Sequence, residues 1–162
     1  MKLSSLVPAE AIVPQLEATR REDVLKELVG VLVSSGKLKK ETAGAVVKAL
    51  LSREELGSTG IGKGVAVPHA KHEAVQGLVA AFGRSKKGVD FSALDGQPVH
   101  LFFMLLSCKD SGSQHLEGLA RVARLVRDDR FCRFLRDAKD RKEIADLLAE
   151  ADAHLDSPGG SR

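Results

Sequence analysis

Hydrophobic residues recur along this chain with two periods. Val24, Leu25, Leu28, Val29 and Leu32 follow helical spacing until Gly36, and Thr19 with Glu22 offers a capping box ahead of them. Ala43, Val46, Val47, Leu50 and Leu51 repeat the pattern, with Gly57 where a left-handed C′ residue is wanted. Shorter patterns read as strands. Ala11 to Leu16 forms one that Pro14 confines to a sheet edge, because proline cannot donate a ladder hydrogen bond. Val65, Ala66 and Val67 form a buried one that Pro68 must end or edge, so His69 is expected to be the first side chain to leave the sheet. Leu78, Ala80 and Phe82 alternate, Gly88 and Asp95-Gly96 mark a turn region, and Val99 to Ser107 is a continuous apolar strand. After the polar stretch CKDSGSQ, Leu116, Leu119, Val122, Ala123 and Val126 define a third helix with Ser113 at the N-cap position. Residues 131–138 and 144–153 give two shorter helices, and the end of the chain, with His154 assigned to it and SPGGSR over 157–162, reads as a disordered tail.

Helices before, between and after strands, without strict βαβ alternation, predict an α/β fold of α+β-like character. A mixed central β-sheet of about five strands is expected, flanked by helices. The 162 residues suit one domain, taken as 1–156.

Composition narrows the function classes. The chain has no Trp or Tyr and only six Phe, so its core must be aliphatic and stacking on nucleic-acid bases is not expected. Its 25 basic and 22 acidic residues are interspersed and give a formal charge of +3, with no basic patch in the sequence to suggest a nucleic-acid partner. Cys108 and Cys132 are isolated, which suggests neither a zinc site nor a disulfide framework and fits a reducing cytoplasm. The first residues lack an apolar core of signal-peptide length, and the apolar run Leu101 to Leu106 is far too short to span a bilayer, so no membrane insertion is expected.

The candidate chemistry gathers around GVAVPHA, residues 64–70. A histidine at the end of a short strand can be posed for chemistry, although a satisfied core histidine fits the same pattern. Upstream, Gly57, Gly60, Gly62 and Gly64 punctuate GSTGIGKG, a loop whose N–H groups could approach an anion closely. Gly57 to Lys63 imitates a phosphate-binding P-loop, but a helix precedes it, a strand follows, and Gly64 stands where that motif needs a magnesium-binding hydroxyl. His69, His72 and His115 could supply three imidazoles to a metal in a hydrolase, but no carboxylate or cysteine completes a recognised spacing, and His72 within AKHEA suits a solvated surface. His115 falls in the first turn of the third helix, where N–H groups and the helix dipole favour a phosphate, and is otherwise simply a polar first-turn residue. Arg53, on the last turn of the second helix, could grip phosphate bidentately or merely pair with the helix C-terminus. His100 is taken as structural.

Glu54, the six residues after it, and IGKGVAVPHA resemble the active-site pattern of fructose/mannitol-class enzyme IIA proteins of the bacterial phosphotransferase system, the class that includes the nitrogen-regulatory IIA branch. The likeness extends more loosely over nearly the whole chain, including Arg53 and the histidine of SGSQHLEGLA, His115. It implies a phosphotransferase/anion transport protein type of fold and a phosphoryl group accepted on the ε nitrogen of His69 from a phosphorylated histidine phosphocarrier protein. Arg53 and His115 would steady that phosphate, which would pass to an enzyme IIB cysteine or let the protein regulate targets. The regulatory branch is favoured over a stand-alone sugar-transport subunit, and neither cofactor nor metal is expected.

Overall fold

A computed structural model describes residues 1–157 and has six strands and six α-helices. The predicted tail beyond Ser157 lies outside the described residues. The centre is a long antiparallel pair, β5 (Leu78–Val89) and β6 (Val99–Ser107), in register from Leu78 opposite Ser107 to Arg84 opposite Leu101. Every β6 residue except His100 is buried, so both sheet faces are covered, and the run VHLFFMLLS has the continuous apolar character of a two-sided strand. Phe82 stacks edge-on against Phe103 and Phe91 against Phe102, so four of the six Phe pack at this centre, with Phe131 and Phe134 on the helix Asp129–Asp137.

Around that pair the sheet is ordered β1-β5-β6-β3-β2, with β4 also on β6. β1 (Ile12–Val13) lies parallel to β5 at the edge and is shorter than the predicted 11–16 because Pro14 ends it. β2 (Gly60–Gly62) pairs antiparallel with β3 (Val65–Ala66), which runs parallel to β6. The sheet exceeds the expected five strands because Pro68 divides one apolar run rather than terminating it. Its carbonyl still accepts from Leu105 N–H (2.9 Å), and β4 (His69–Lys71) resumes parallel to β6 with His69 opposite Leu105. His69 therefore starts a strand; it is not the first residue beyond the sheet.

Helices α2 (Arg21–Ser34) and α3 (Ala43–Glu55) pack on each other, α2 against β5 and α3 against β4. Helices α4 (Gly112–Val126), α5 (Asp129–Asp137) and α6 (Arg141–Asp156) form the other helical group, joined by a short N-terminal α1 (Leu3–Leu6) that the sequence pattern did not predict. Asp152 of α6 explains α1: its carboxylate accepts the N–H groups of Leu3 (2.8 Å) and Ser4 (2.7 Å) and also meets Arg121 of α4. These bonds hold the Asp152 carboxyl below its ordinary range against the opposing effect of burial.

Two predicted caps differ from those observed. Thr19 does not cap α2, whose N-cap is Arg20 with no side-chain bond, because Arg20 is drawn into an extended bridge with Asp90. Glu27 instead reaches back from α2 to accept the N–H groups of Glu17 and Ala18. The N-cap of α4 is Ser111, two residues before the expected Ser113, and the Ser111 hydroxyl donates to Cys108 O instead of capping the helix. The C-terminal helices are longer than their apolar stripes because Asp128 and Asp140 cap them through their carboxylates, and α6 takes in His154, which does not belong to the tail. Gly57 is the residue after the α3 C-cap as predicted, at φ +154°.

Candidate functional site

Parallel pairing of β4 with β6 brings the residue after Pro68 beside the helix that follows β6. His69 at the start of β4 and His115 on α4 meet with ring centroids 5.5 Å apart. His69 is half-buried, and its Nδ1 lies 2.7 Å from Val67 O. A carbonyl can only accept, so Nδ1 carries the hydrogen and Nε2 keeps the lone pair. The bend at Val67-Pro68 creates this bond: it turns the Val67 carbonyl, two residues back, onto the ring.

His115 is buried at 6% exposure and its Nδ1 lies 2.6 Å from the hydroxyl of Ser107, the last residue of β6. Burial first, then the charge interactions with His69 and with Lys71, lowers its pKa below the ordinary 6.5, which favours the neutral ring. Ser107 and Lys71 are site residues that sequence reasoning missed. Ser107 looked like the end of an apolar strand; Lys71 was treated as part of a solvated segment. The signal for Lys71 was its place two residues after His69, the period that returns a side chain to the same face of a strand. Its Nζ reaches the start of α4, where a methyl group added to Gly112 would lie 3.8 Å from it.

Arg53 lies in the last turn of α3, the helix packed on β4, and its Nη1 donates to Gly57 O (2.8 Å). The arginine thus closes the helix end, as one of its two sequence readings had it, with Nε and Nη2 outside that bond. Beside it, Glu54 is buried at 3% exposure; Oε2 accepts Thr59 N–H (3.0 Å) and Oε1 accepts the Thr59 hydroxyl. This carboxylate ties the helix end to the segment leading into β2.

Two of the four glycine N–H groups that could approach an anion are bonded within the chain. Gly57 N–H donates to Glu54 O, Gly60 N–H to Ser58 Oγ and Lys63 N–H to Asp95, and the segment is a hairpin, not an open loop. Gly60 is required there because an added Cβ would lie 2.8 Å from Ala93 Cβ and 2.9 Å from Ala93 Cα. His72 belongs to a turn, its Nδ1 accepting Ala74 N–H, and His100 Nδ1 donates to Ser85 O (2.8 Å) at the far end of β6. Among the described residues no three His, Cys, Asp or Glu side chains come together as a metal set, and no helix is long and apolar enough to cross a membrane.

Comparison with known proteins bears on this geometry. Residues 5–151 match the family described as phosphoenolpyruvate-dependent sugar phosphotransferase system, EIIA 2. The chain is 39% identical over 149 residues to a nitrogen regulatory protein of Bradyrhizobium diazoefficiens, a match covering 92% of this chain and 95% of that one. It is 40% identical over 152 residues to the fructose-specific EIIABC component of Bacillus subtilis, covering 94% of this chain but only 24% of that longer protein. The crystal structure of nitrogen regulatory protein IIA-Ntr from Neisseria meningitidis superposes with a TM-score of 0.81 at 32% identity, over 90% of this chain and 98% of that one. The mannitol IIA of Escherichia coli, at 24% identity and a TM-score of 0.73, shares the fold over 88% of this chain and 98% of its own. The predicted mixed, helix-flanked sheet is therefore the architecture of this group, and the chain belongs to the EIIA 2 family of the phosphoenolpyruvate-dependent sugar phosphotransferase system, whose members carry and transfer phosphoryl groups.

Proposed function

We propose that this chain is a phosphocarrier in which Nε2 of His69 takes a phosphoryl group from the phosphohistidine of a histidine phosphocarrier protein. One observation carries the reading: Nδ1–H of His69 is held by Val67 O, which leaves the Nε2 lone pair as the nucleophile. That pair attacks phosphorus while the bond from phosphorus to the donor nitrogen breaks, and the donor imidazole keeps the bonding electrons. Because the transition state is loose and spreads charge over the three equatorial oxygens, the protein contributes placement and cationic or N–H donors more than covalent chemistry. Ser107 Oγ lies 2.6 Å from Nδ1 of His115; with the hydroxyl donating to Nδ1, the proton of the neutral ring sits on Nε2 and serves as a phosphate donor. Arg53 adds Nε and Nη2, and Lys71 adds positive charge. Arrival of the dianion opposes the burial that keeps His115 neutral, so the ring takes up positive charge more readily when it is needed.

The phosphoryl group then leaves either to a cysteine thiolate of an enzyme IIB domain or by hydrolysis after the phosphorylated form has acted on a regulatory target. The regulatory reading is favoured by the match to 95% of a nitrogen regulatory protein and by the high TM-score to IIA-Ntr. A complex of mannitol IIA with phosphorylated IIB from Escherichia coli, a relative in fold, supports the cysteine route as the alternative. Either role places the protein in the cytoplasm.

The test is incubation with labelled phosphoenolpyruvate, enzyme I and the histidine phosphocarrier protein. Wild type takes one acid-labile phosphate and His69→Ala takes none. Absence of label on wild type, or equal label on His69→Ala, overturns the proposal.

A further inference from the structure

The end of β6 remote from His69 carries a second histidine whose surroundings have no part in the chemistry above. His100 is five residues before Leu105, the partner of His69, which along a strand is about 17 Å. It forms the wall common to two adjoining clefts of about 460 and 550 Å³, within the usual volume of small-molecule sites, and Arg136 of α5 lines both. The two side chains converge over Gly64: a methyl group added there would lie 3.6 Å from His100 Cδ2 and 3.8 Å from Arg136 Nη1. Gly88 leaves room for the ring, since its Cβ would fall 2.9 Å from His100 Cε1.

The charges facing these clefts do not cancel. Lys63 is paired with Asp129 (3.2 Å), and the Asp95 carboxylate is bound by the N–H groups of Lys63 and Gln97, which keep it ionised but occupied. The clefts therefore set Arg136, Arg133, Lys86 and Lys139 against the two carboxylates of Asp137 and Asp95, and among the described residues none of these four cations forms an ion pair. His100 Nδ1 is used by Ser85 O, and among the described residues its Nε2 has no hydrogen-bond partner and is not sealed from solvent.

We infer that the His100–Arg136 cleft binds a small oxyanion that also carries a hydroxyl, such as hydrogen phosphate or a phosphorylated or carboxylated polyol. The guanidinium and ammonium groups take the charged oxygens. The bare Nε2 accepts the hydroxyl, a partner that sulfate of the same size and charge cannot offer.

The experiment is a titration of ¹⁵N-labelled full-length protein with inorganic phosphate at pH 7.5, following the side-chain nitrogens of His100 by NMR at ionic strength held constant with chloride. Glycerol 3-phosphate is titrated as the phosphomonoester and sulfate as the control. Expected is a saturable shift of His100 with both phosphates, retained in His69→Ala. Affinity falls about tenfold in Arg136→Gln, the loss of a charge-assisted bond, and is several-fold weaker for sulfate. Arg136 is exposed, so the variant should fold, and Lys139→Gln gives a second reading of the same loss. The inference is overturned if His100 does not respond, if sulfate or chloride acts equally, if shifts are confined to His69 and His115, or if neither substitution weakens binding.

Discussion

Arg84 and His69 both belong to the central sheet, yet their hydrogen bonds are arranged in opposite ways. Arg84 is 2% exposed in the middle of β5; its Nε donates to Pro14 O and its Nη1 to the carbonyls of Leu135, Arg136 and Ala138. A buried cation thereby closes the C-terminus of α5 and pins the edge strand, using carbonyls where a carboxylate would ordinarily be expected. Burial lowers its pKa despite the opposing pull of Glu143 and Asp137. His69 is only half-buried and commits one nitrogen to Val67 O, leaving the other without a partner among the described residues. The difference separates scaffold from site: a polar group saturated by fixed backbone acceptors holds structure, whereas one oriented by a single bond has chemistry left to do.

The sharpest way to break that contrast is a pair of substitutions. Arg84→Met strands the four carbonyls and should cost about 3–5 kcal/mol in urea unfolding. His69→Ala should cost no more than about 1 kcal/mol while abolishing phosphoryl acceptance. If both variants lose equal stability, or if Arg84→Met loses phosphorylation while fully folded, the division fails.

Glu54 tests the boundary between the two classes. Its buried carboxylate serves Thr59 through both oxygens, so Glu54→Ala should cost about 2–3 kcal/mol and slow phosphorylation by loosening the approach to β2. Thr59→Val should reproduce part of the stability loss. Unchanged melting of Glu54→Ala would show that the turn is held from elsewhere.

How much of this was legible in the sequence depends on the range of each interaction. The helices and β6 follow from local periodicity; His69 stands out because its motif is contiguous, whereas Arg53 and His115 lie well away from it along the chain and are picked out by the family resemblance and their places at helix ends. The tie between His69 and Val67 O spans two residues but depends on the bend at Pro68, which removes a donor without ending the strand pairing, since the proline carbonyl still accepts from Leu105. Ser107 and Lys71 escaped notice because they become site residues only when β4 is laid parallel to β6. Arg84, bonded to carbonyls far along the chain, carries no local sign of being buried. The helix α1 was hidden for the same reason, since Asp152 creates it from the opposite end of the sequence.

Ser107 provides a more moderate test on the site side. Ser107→Ala removes the partner of His115 Nδ1 and frees the ring to change tautomer, so phosphorylation of His69 should slow about tenfold with a stability loss of about 1 kcal/mol. Ser107→Thr should restore much of the rate, because the hydroxyl is kept. Equal rates in wild type and Ser107→Ala would remove Ser107 from the positioning of His115.

The smallest expected effect concerns protons. His115 has a folded pKa below its ordinary 6.5, so near and just below pH 6.5 the unfolded chain binds more protons at this residue than the folded one does. Stability therefore rises with pH through this window: the neutral buried ring is fully compatible with the fold above pH 6.5, and its contribution is lost progressively as the pH falls from 6.5 towards the folded value. The wild-type minus His115→Asn difference in unfolding free energy, measured by urea titration between pH 5 and 8, isolates this residue from the other histidines. It should be flat above about pH 7 and decline on the acid side. A difference that grows on acidification instead would mean that the folded protein prefers the protonated ring, and that His115 is a cation before any phosphate arrives.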